Sequence, residues 1–320
     1  MASEPTSAPT KGQDTGKGQD AGKGQAPVEA APKPAPAPVR NRSGGVALKE
    51  RYHIYPNSPL VALDMPSARA YAVEDKKSND QLYALICQPD MPVRINEMRS
   101  LRGVKATGLL PLIEFGPITW PETGKTHMAV VYAEPLGGRV RADVKARISP
   151  IHEREVGAQL IEPITAAIKE LHSRRVMHRA IRPDNLYYLD PAKQQLVLGD
   201  CVTSPPAYDQ PSLCENIVSS MTQRDARGEG SSQNDLYAFG VLIIAMLTGR
   251  VPCLDLSDEE LLHDKITQGS YQAVVGELRL PLPITEVLRG LLSDDPNHRW
   301  DIEALELWHA GRRLSPIQSK

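Results

Sequence analysis

Aromatic residues are scarce in this chain of 320 residues, with only two phenylalanines. A core must therefore rest on Leu, Ile, Val and Ala. Cysteines are few and scattered (Cys87, Cys201, Cys214, Cys253), with no Cys-x-x-Cys pair. That spacing excludes a disulfide framework and a structural zinc site, and fits a reducing compartment. Long apolar runs are also missing. The longest, Phe239 to Leu247 interrupted by Gly240, falls far short of the roughly 20 residues a bilayer requires. No apolar segment marks the N-terminus, so no secretory signal is expected and a cytoplasmic location is. Neither sign of charge dominates: 37 basic residues face 39 acidic ones, net −2. Nucleic acid and anionic membrane surfaces lose their main electrostatic attraction, so neither is expected as a partner.

Residues 1–46 are rich in Pro, Ala, Gly, Lys and Gln and repeat Lys-Gly-Gln three times. Too few apolar side chains are present to offset the entropy of ordering, which predicts a disordered tail. From about Val46, short strand-like runs appear at Leu60–Leu63, Ala68–Val73, Leu82–Cys87, Leu110–Phe115 and Met128–Tyr132, punctuated by Gly, Pro, Asn and Asp. A short helix is expected at Val93–Leu101. Beyond residue 137 the pattern turns helical. Val156, Leu160, Ile164, Ile168 and Leu171 recur every three or four residues. Two short strands follow (Leu186–Leu189, Leu196–Leu198), then Leu236–Leu247, apolar on nearly every side as a buried helix must be. Ser257 and Glu260 form a capping-box pattern before Leu261–Ile266. Helices are expected at Ile284–Leu292 and Ile302–His309, and a tail at 313–320.

The densest signal is Val176-Met-His-Arg-Ala-Ile-Arg-Pro-Asp-Asn-Leu186. It resembles the protein kinase catalytic loop, His-Arg-Asp-Leu-x-x-x-Asn. Further matches follow in order. Asp200-Cys-Val lies where Asp-Phe-Gly is expected. Asn234-Asp-Leu-Tyr-Ala-Phe-Gly resembles the start of the central buried helix. Leu291-Leu-Ser-Asp-Asp-Pro-Asn-His-Arg-Trp300 resembles the Asp-Pro-x-x-Arg block near the domain's end. The resemblance spans about residues 50–312. It implies an α+β, two-lobed fold: a small β-rich lobe (47–136) and a larger helical lobe (137–312).

The departures are as informative. Ala180 stands where the resemblance places the catalytic aspartate, and a methyl group can neither accept a proton nor orient a hydroxyl. The strand-three lysine is missing: depending on a one-residue slip, Ile86 or Cys87 takes its place, and Glu97 has no lysine to meet. Leu63–Tyr71, where a glycine-rich loop belongs, has no glycine. Val202 replaces the last glycine of the metal-binding triplet. The Ala-Pro-Glu block aligns best with Ser220-Met-Thr222, which removes the glutamate that would pair with Arg299. Losing a positioned base costs about 10²–10⁴ in rate, and losing a preorganised donor about 10²–10³.

What remains has two readings. Asn185 and Asp200 match the metal-holding positions and would keep ATP with Mg; they also suit hydrogen-bonded turns. His178, Arg179, Asp235 and Arg299 read as scaffold, with Arg179 alternatively meeting an acidic or phosphorylated segment, where Thr203, Ser204, Ser212, Ser219, Ser220 and Thr222 lie. Cys87 and Cys201 would face the cleft, as a redox or metal pair or simply as small buried residues. Three functions follow from the resemblance. One is a pseudokinase that binds protein partners without ordinary phosphoryl transfer. Another is an atypical phosphotransferase in which Asp184 or Asp200 acts as base and a lysine or arginine from elsewhere, such as Arg69 or Arg94, replaces the lysine. The last is a structural domain whose cleft is filled by side chains.

Overall fold

The computed structural model describes residues 44–142 and 146–312. The expected tails, 1–46 and 313–320, lie outside these residues except for positions 44–46. The first part of the chain forms a six-stranded sheet in the order β1-β2-β3-β4-β6-β5. Its strands are β1 (Val46–Leu48), β2 (Tyr52–Pro59), β3 (Ala68–Asp75), β4 (Leu82–Cys87), β5 (Leu112–Thr119) and β6 (Thr126–Ala133), with α1 (Ile95–Leu101) inserted after β4. Every pairing is antiparallel. One expectation is corrected here. Leu60–Leu63 is not a strand: Val61–Leu63 forms a single 3-10 turn, and the strand is Tyr52–Pro59. Pro56 and Pro59 hide that strand in the sequence. The structure accommodates them where the register shifts between Ile54 and Pro59.

The pleat of β4 matters for the site. Successive side chains point to opposite faces. Tyr83, Leu85 and Cys87 join the core shared with the helical part, whereas Leu82, Ala84 and Ile86 join a second cluster on the other face.

The second part holds a small antiparallel sheet of β7 (Gly138–Arg139), β8 (Leu186–Tyr188) and β9 (Leu196–Leu198). Around it lie α2 (Glu162–Ser173), α3 (Ile217–Ser220), α4 (Ser232–Thr248), α5 (Asp258–Gln268), α6 (Ser270–Val275), α7 (Leu282–Leu291) and α8 (Ile302–His309). A π turn at Gly157–Ile161 leads into α2. Pro163 explains it, since it has no N–H to give the carbonyl one α-turn earlier. Helix α4 is buried from Asn234 to Met246. Ser231 and Asn234 cap it reciprocally, and Gly249 ends it at φ 71°, a left-handed conformation suited to glycine. The Ser257–Glu260 capping box is formed as expected. No helix among the described residues is long and apolar enough to cross a membrane.

Helix α7 approaches the Asp-Pro-x-x-Arg segment through Gly290, where a β-carbon would overlap the Trp300 ring. Exposed helical glycines gain up to about 1 kcal/mol on replacement by Ala. Here Gly290→Ala is expected to lose about 1–3 kcal/mol by overpacking, read as a lower urea midpoint at unchanged m-value. A gain would mean the ring has room to move.

Candidate functional site

The site is built where Val176–Leu186, Gly199–Ser204 and the connection between β2 and β3 converge. Asp235, in the first turn of α4, organises the first of these. Its two oxygens accept from the backbone N–H groups of His178 and Arg179, each at 2.8 Å, and His172 Nε2 lies 2.9 Å away. Burial would raise the Asp235 pKa, but the His172 hydrogen bond and the nearby histidines hold it below the ordinary value. Arg179 is thereby fixed at φ 56°, rare for a non-glycine residue. His178 is buried. Its Nδ1 accepts from the Ala180 N–H at 3.2 Å, so the ring proton lies on Nε2, which has no partner. Burial pushes its pKa down to about 4.

Asn185 and Asp200 lie side by side. Asn185 Nδ2 donates to the carbonyls of Ala180 (2.9 Å) and Asp200 (2.7 Å). The Asp200 carboxylate is already engaged by the protein. Oδ1 accepts from Tyr132 Oη at 2.6 Å, and Oδ2 accepts from Thr203 Oγ1 at 2.6 Å and the Thr203 N–H at 3.2 Å. Asn185 Oδ1 is buried and unpaired, against Gly199. As arranged, the pair does not fit a magnesium ion, which takes six oxygens with several waters among them. No group of three potential metal ligands occurs among the described residues.

Protein fills the place of the glycine-rich loop. Leu63, Met65 and Ser67 are buried. Met65 Sδ lies 3.6 Å from Tyr187 Oη and 3.8 Å from Arg139 Nη2. Arg139 Nη2 also donates to the Asp64 carbonyl at 2.8 Å, and its guanidinium lies over the Tyr187 ring. Ser67 Oγ and Thr203 Oγ1 are 2.7 Å apart, joining the loop to the segment after Asp200. The cavity left among Met65, His178, Ala180, Arg182 and Asp200 is about 10 Å³. That is close to the least volume that holds one water, roughly 10–15 Å³.

Of the two residues that could stand for the missing lysine, Cys87 lies on the sheet face shared with this core and Ile86 on the opposite face. Cys87 and Cys201 are buried, unbridged thiols. Burial pushes both pKa values up, Cys201 to about 12, which disfavours the thiolate that metal binding and redox exchange require. Val202 is fully buried. Neither candidate replacement cation points at Asp200. Arg69 is exposed and pairs with Asp64 at 3.0 Å. Arg94 donates to the carbonyls of Met177 and Cys201, each at 2.9 Å, and pairs with Glu229 at 2.7 Å. Glu97 faces Arg94 at 3.9 Å.

The segment after Asp200 departs from the alignment. Met221 and Thr222 are exposed, and the buried carboxylate is Glu215. It pairs with Arg179 at 3.1 Å rather than with Arg299. Arg299 donates to the Ser293 carbonyl at 2.8 Å and lies over Tyr237. Lys265 donates to the carbonyls of Ser212 (2.9 Å) and Glu215 (2.8 Å), and burial lowers its pKa to about 8.

Residues that the sequence did not single out therefore help define the site: Met65, Tyr132, Arg139 and Glu215. Thr203 is named above only as one of several hydroxyls in a segment open to phosphorylation, and here it bonds Asp200.

Compared with known proteins, residues 94–307 match the family model described as protein kinase domain. The chain is 28% identical over 164 residues to the serine/threonine-protein kinase RAD53 of Saccharomyces cerevisiae, which covers 45% of this chain and 20% of that protein. It is 24% identical over 138 residues to the serine/threonine-protein kinase WNK4 of Rattus norvegicus, covering 42% of this chain and 11% of that one. The matched regions thus span a fifth or less of these curated relatives. Its fold is similar to the crystal structure of Rad53 1-466 in complex with AMP-PNP, with a TM-score of 0.60 at 18% identity, over 82% of this chain and 66% of the other.

Proposed function

The chain belongs to the protein kinase domain family, and from that membership we propose that it is a pseudokinase: a binding or regulatory module for a protein partner, without ordinary phosphoryl transfer. The observation that carries this reading is the filled cleft. Met65 and Arg139 occupy the space beneath the β2–β3 connection, and Tyr132 and Thr203 hold both oxygens of Asp200. Ligand pockets for small molecules measure about 300–1,000 Å³, whereas the space left between Met65, His178 and Asp200 is about 10 Å³. A kinase positions a base, a lysine on the phosphates and Mg²⁺ together. Ala180 and Cys87 supply neither the base nor the lysine, and the metal position is closed by hydrogen bonds. The same filling favours a scaffold that needs no nucleotide over one gated by it. An atypical transferase would need a lysine or arginine from elsewhere on the phosphates, and the two candidates named above, Arg69 and Arg94, are engaged elsewhere.

Thermal unfolding of the full chain with ATP or ADP, with and without Mg²⁺ or Mn²⁺, tests the reading. A ligand at a hundred times its Kd adds about 2.7 kcal/mol, a rise of several degrees at roughly 2–4 °C per kcal/mol. No change in midpoint is expected. A metal-dependent rise that disappears in Asp200→Ala would overturn the nucleotide-free scaffold, and transfer of labelled phosphate abolished by the same substitution would overturn the pseudokinase reading.

A further inference from the structure

A concavity of about 1050 Å³ lies behind the segment joining the two lobes, away from Asp200. We propose that it is a docking groove for an extended peptide segment of a partner protein, one that combines apolar side chains with Lys or Arg. The proposal deepens the binding-module reading by naming the partner's chemistry and the surface that meets it.

Its floor is apolar. Leu82, Leu109 and Leu196 line it, all buried beneath the surface. Its rim carries the carboxylates of Asp80, Glu134 and Glu162 and the amine of Lys105, with His309 3.5 Å from Glu162. That excess of carboxylates contrasts with the near balance of the whole chain, 37 basic against 39 acidic residues. Leu136 stands on the same rim, 49% exposed, and adds apolar surface at the groove's edge. Apolar anchors would fill the floor while partner cations meet the rim. Such rim charges chiefly set on-rate and selectivity.

The walls are already formed. A β-carbon on Gly108 would collide with the Pro163 carbonyl, so these two walls are in direct backbone contact. Leu109 also bridges to Leu198. A preformed groove spares the cost of ordering its own backbone on binding. Rim amides of Gln159 and Gln195 can both donate to and accept from an extended main chain.

The test is fluorescence anisotropy of the full chain with four short labelled peptides, carrying Arg with Leu, Glu with Leu, Arg with Ser, or Leu alone. Only the Arg-with-Leu peptide is expected to bind, more weakly as salt rises. Leu136→Arg and Glu162→Lys should each raise its Kd at least about tenfold, or about 1.4 kcal/mol. Leu254→Arg, at an exposed leucine outside the groove, should leave it unchanged, and all three variants should melt as the parent does. Equal binding of the Glu-with-Leu peptide, indifference to the groove substitutions, or no binding by any peptide would overturn the proposal. So would self-association abolished by Leu136→Arg, since a second copy would then be the occupant. Phosphate transfer abolished by Asp200→Ala would sink the pseudokinase reading yet leave the peptide result standing, so the two failures are separable.

Discussion

Glu215→Ala is expected to destabilise the protein by about 3–5 kcal/mol, the cost of leaving a buried charge without its partner. The side chains of Arg179 and Glu215 are 1% and 0% exposed, with 3.1 Å between them. Burial pushes the Glu215 pKa up against the pull of Arg179. The pair is thus held at a desolvation cost rather than being a source of net stability. Two outcomes separate these roles. The single variant should lower the thermal midpoint by roughly 10 °C, at 2–4 °C per kcal/mol for a domain of this size. The double variant Arg179→Leu, Glu215→Leu should recover most of that loss, because replacing a buried pair by apolar residues is often neutral. A cost below about 1 kcal/mol for Glu215→Ala would place the pair in the weak class typical of surface bridges. The consequence for function is direct. Arg179, the arginine expected as an alternative to meet a phosphorylated segment, is committed to a carboxylate inside that segment, and Lys265 pins the same stretch through its carbonyls.

Helical periodicity was the most legible part of the chain. Ile302–His309 is reproduced residue for residue, and the all-round apolar run at Leu236–Leu247 is the buried middle of α4. Capping chemistry also read through, at Ser257 and Glu260. Strand β2 was missed because Pro56 and Pro59 argue against a strand, while the nearby Leu-Val-Ala-Leu run mimics one. The choice between Ile86 and Cys87 depended on the pleat, which places one residue on each face. Glu215 was missed because the segment around it is irregular. Without periodicity nothing in that stretch marks which carboxylate is buried, and Glu215 pairs with Arg179 rather than with Arg299. The lost catalytic groups were visible as substitutions at motif positions. What fills their place was not, because the contact of Met65 with Tyr187 joins residues 122 apart in sequence.

His178 should set the acid limit of the fold. Burial depresses its pKa from 6.5 to about 4, acting against the fields of Asp235 and Asp200, while Arg94 and Arg182 add to the depression. The unfolded chain therefore binds a proton near pH 6.5 that the folded chain refuses until about pH 4. Stability from this group is complete above pH 6.5 and is lost as pH falls through that window. Two and a half pKa units at 1.36 kcal/mol each amount to about 3 kcal/mol. Two neighbouring acids oppose this. Burial raises the pKa values of Asp209 and Glu215, so the folded state gains as each takes up its proton on acidification. Asp235 is depressed and adds to the loss only below the ordinary carboxylate range. A difference between variants isolates the histidine from these terms. His178→Gln keeps an acceptor for the Ala180 N–H and removes the titration. Urea unfolding of both proteins across the window should show the parent losing about 3 kcal/mol more than the variant between pH 7 and 4. Parallel curves would mean that His178 is protonated in the folded state, and that the unpaired Nε2 has found a partner with a negative charge.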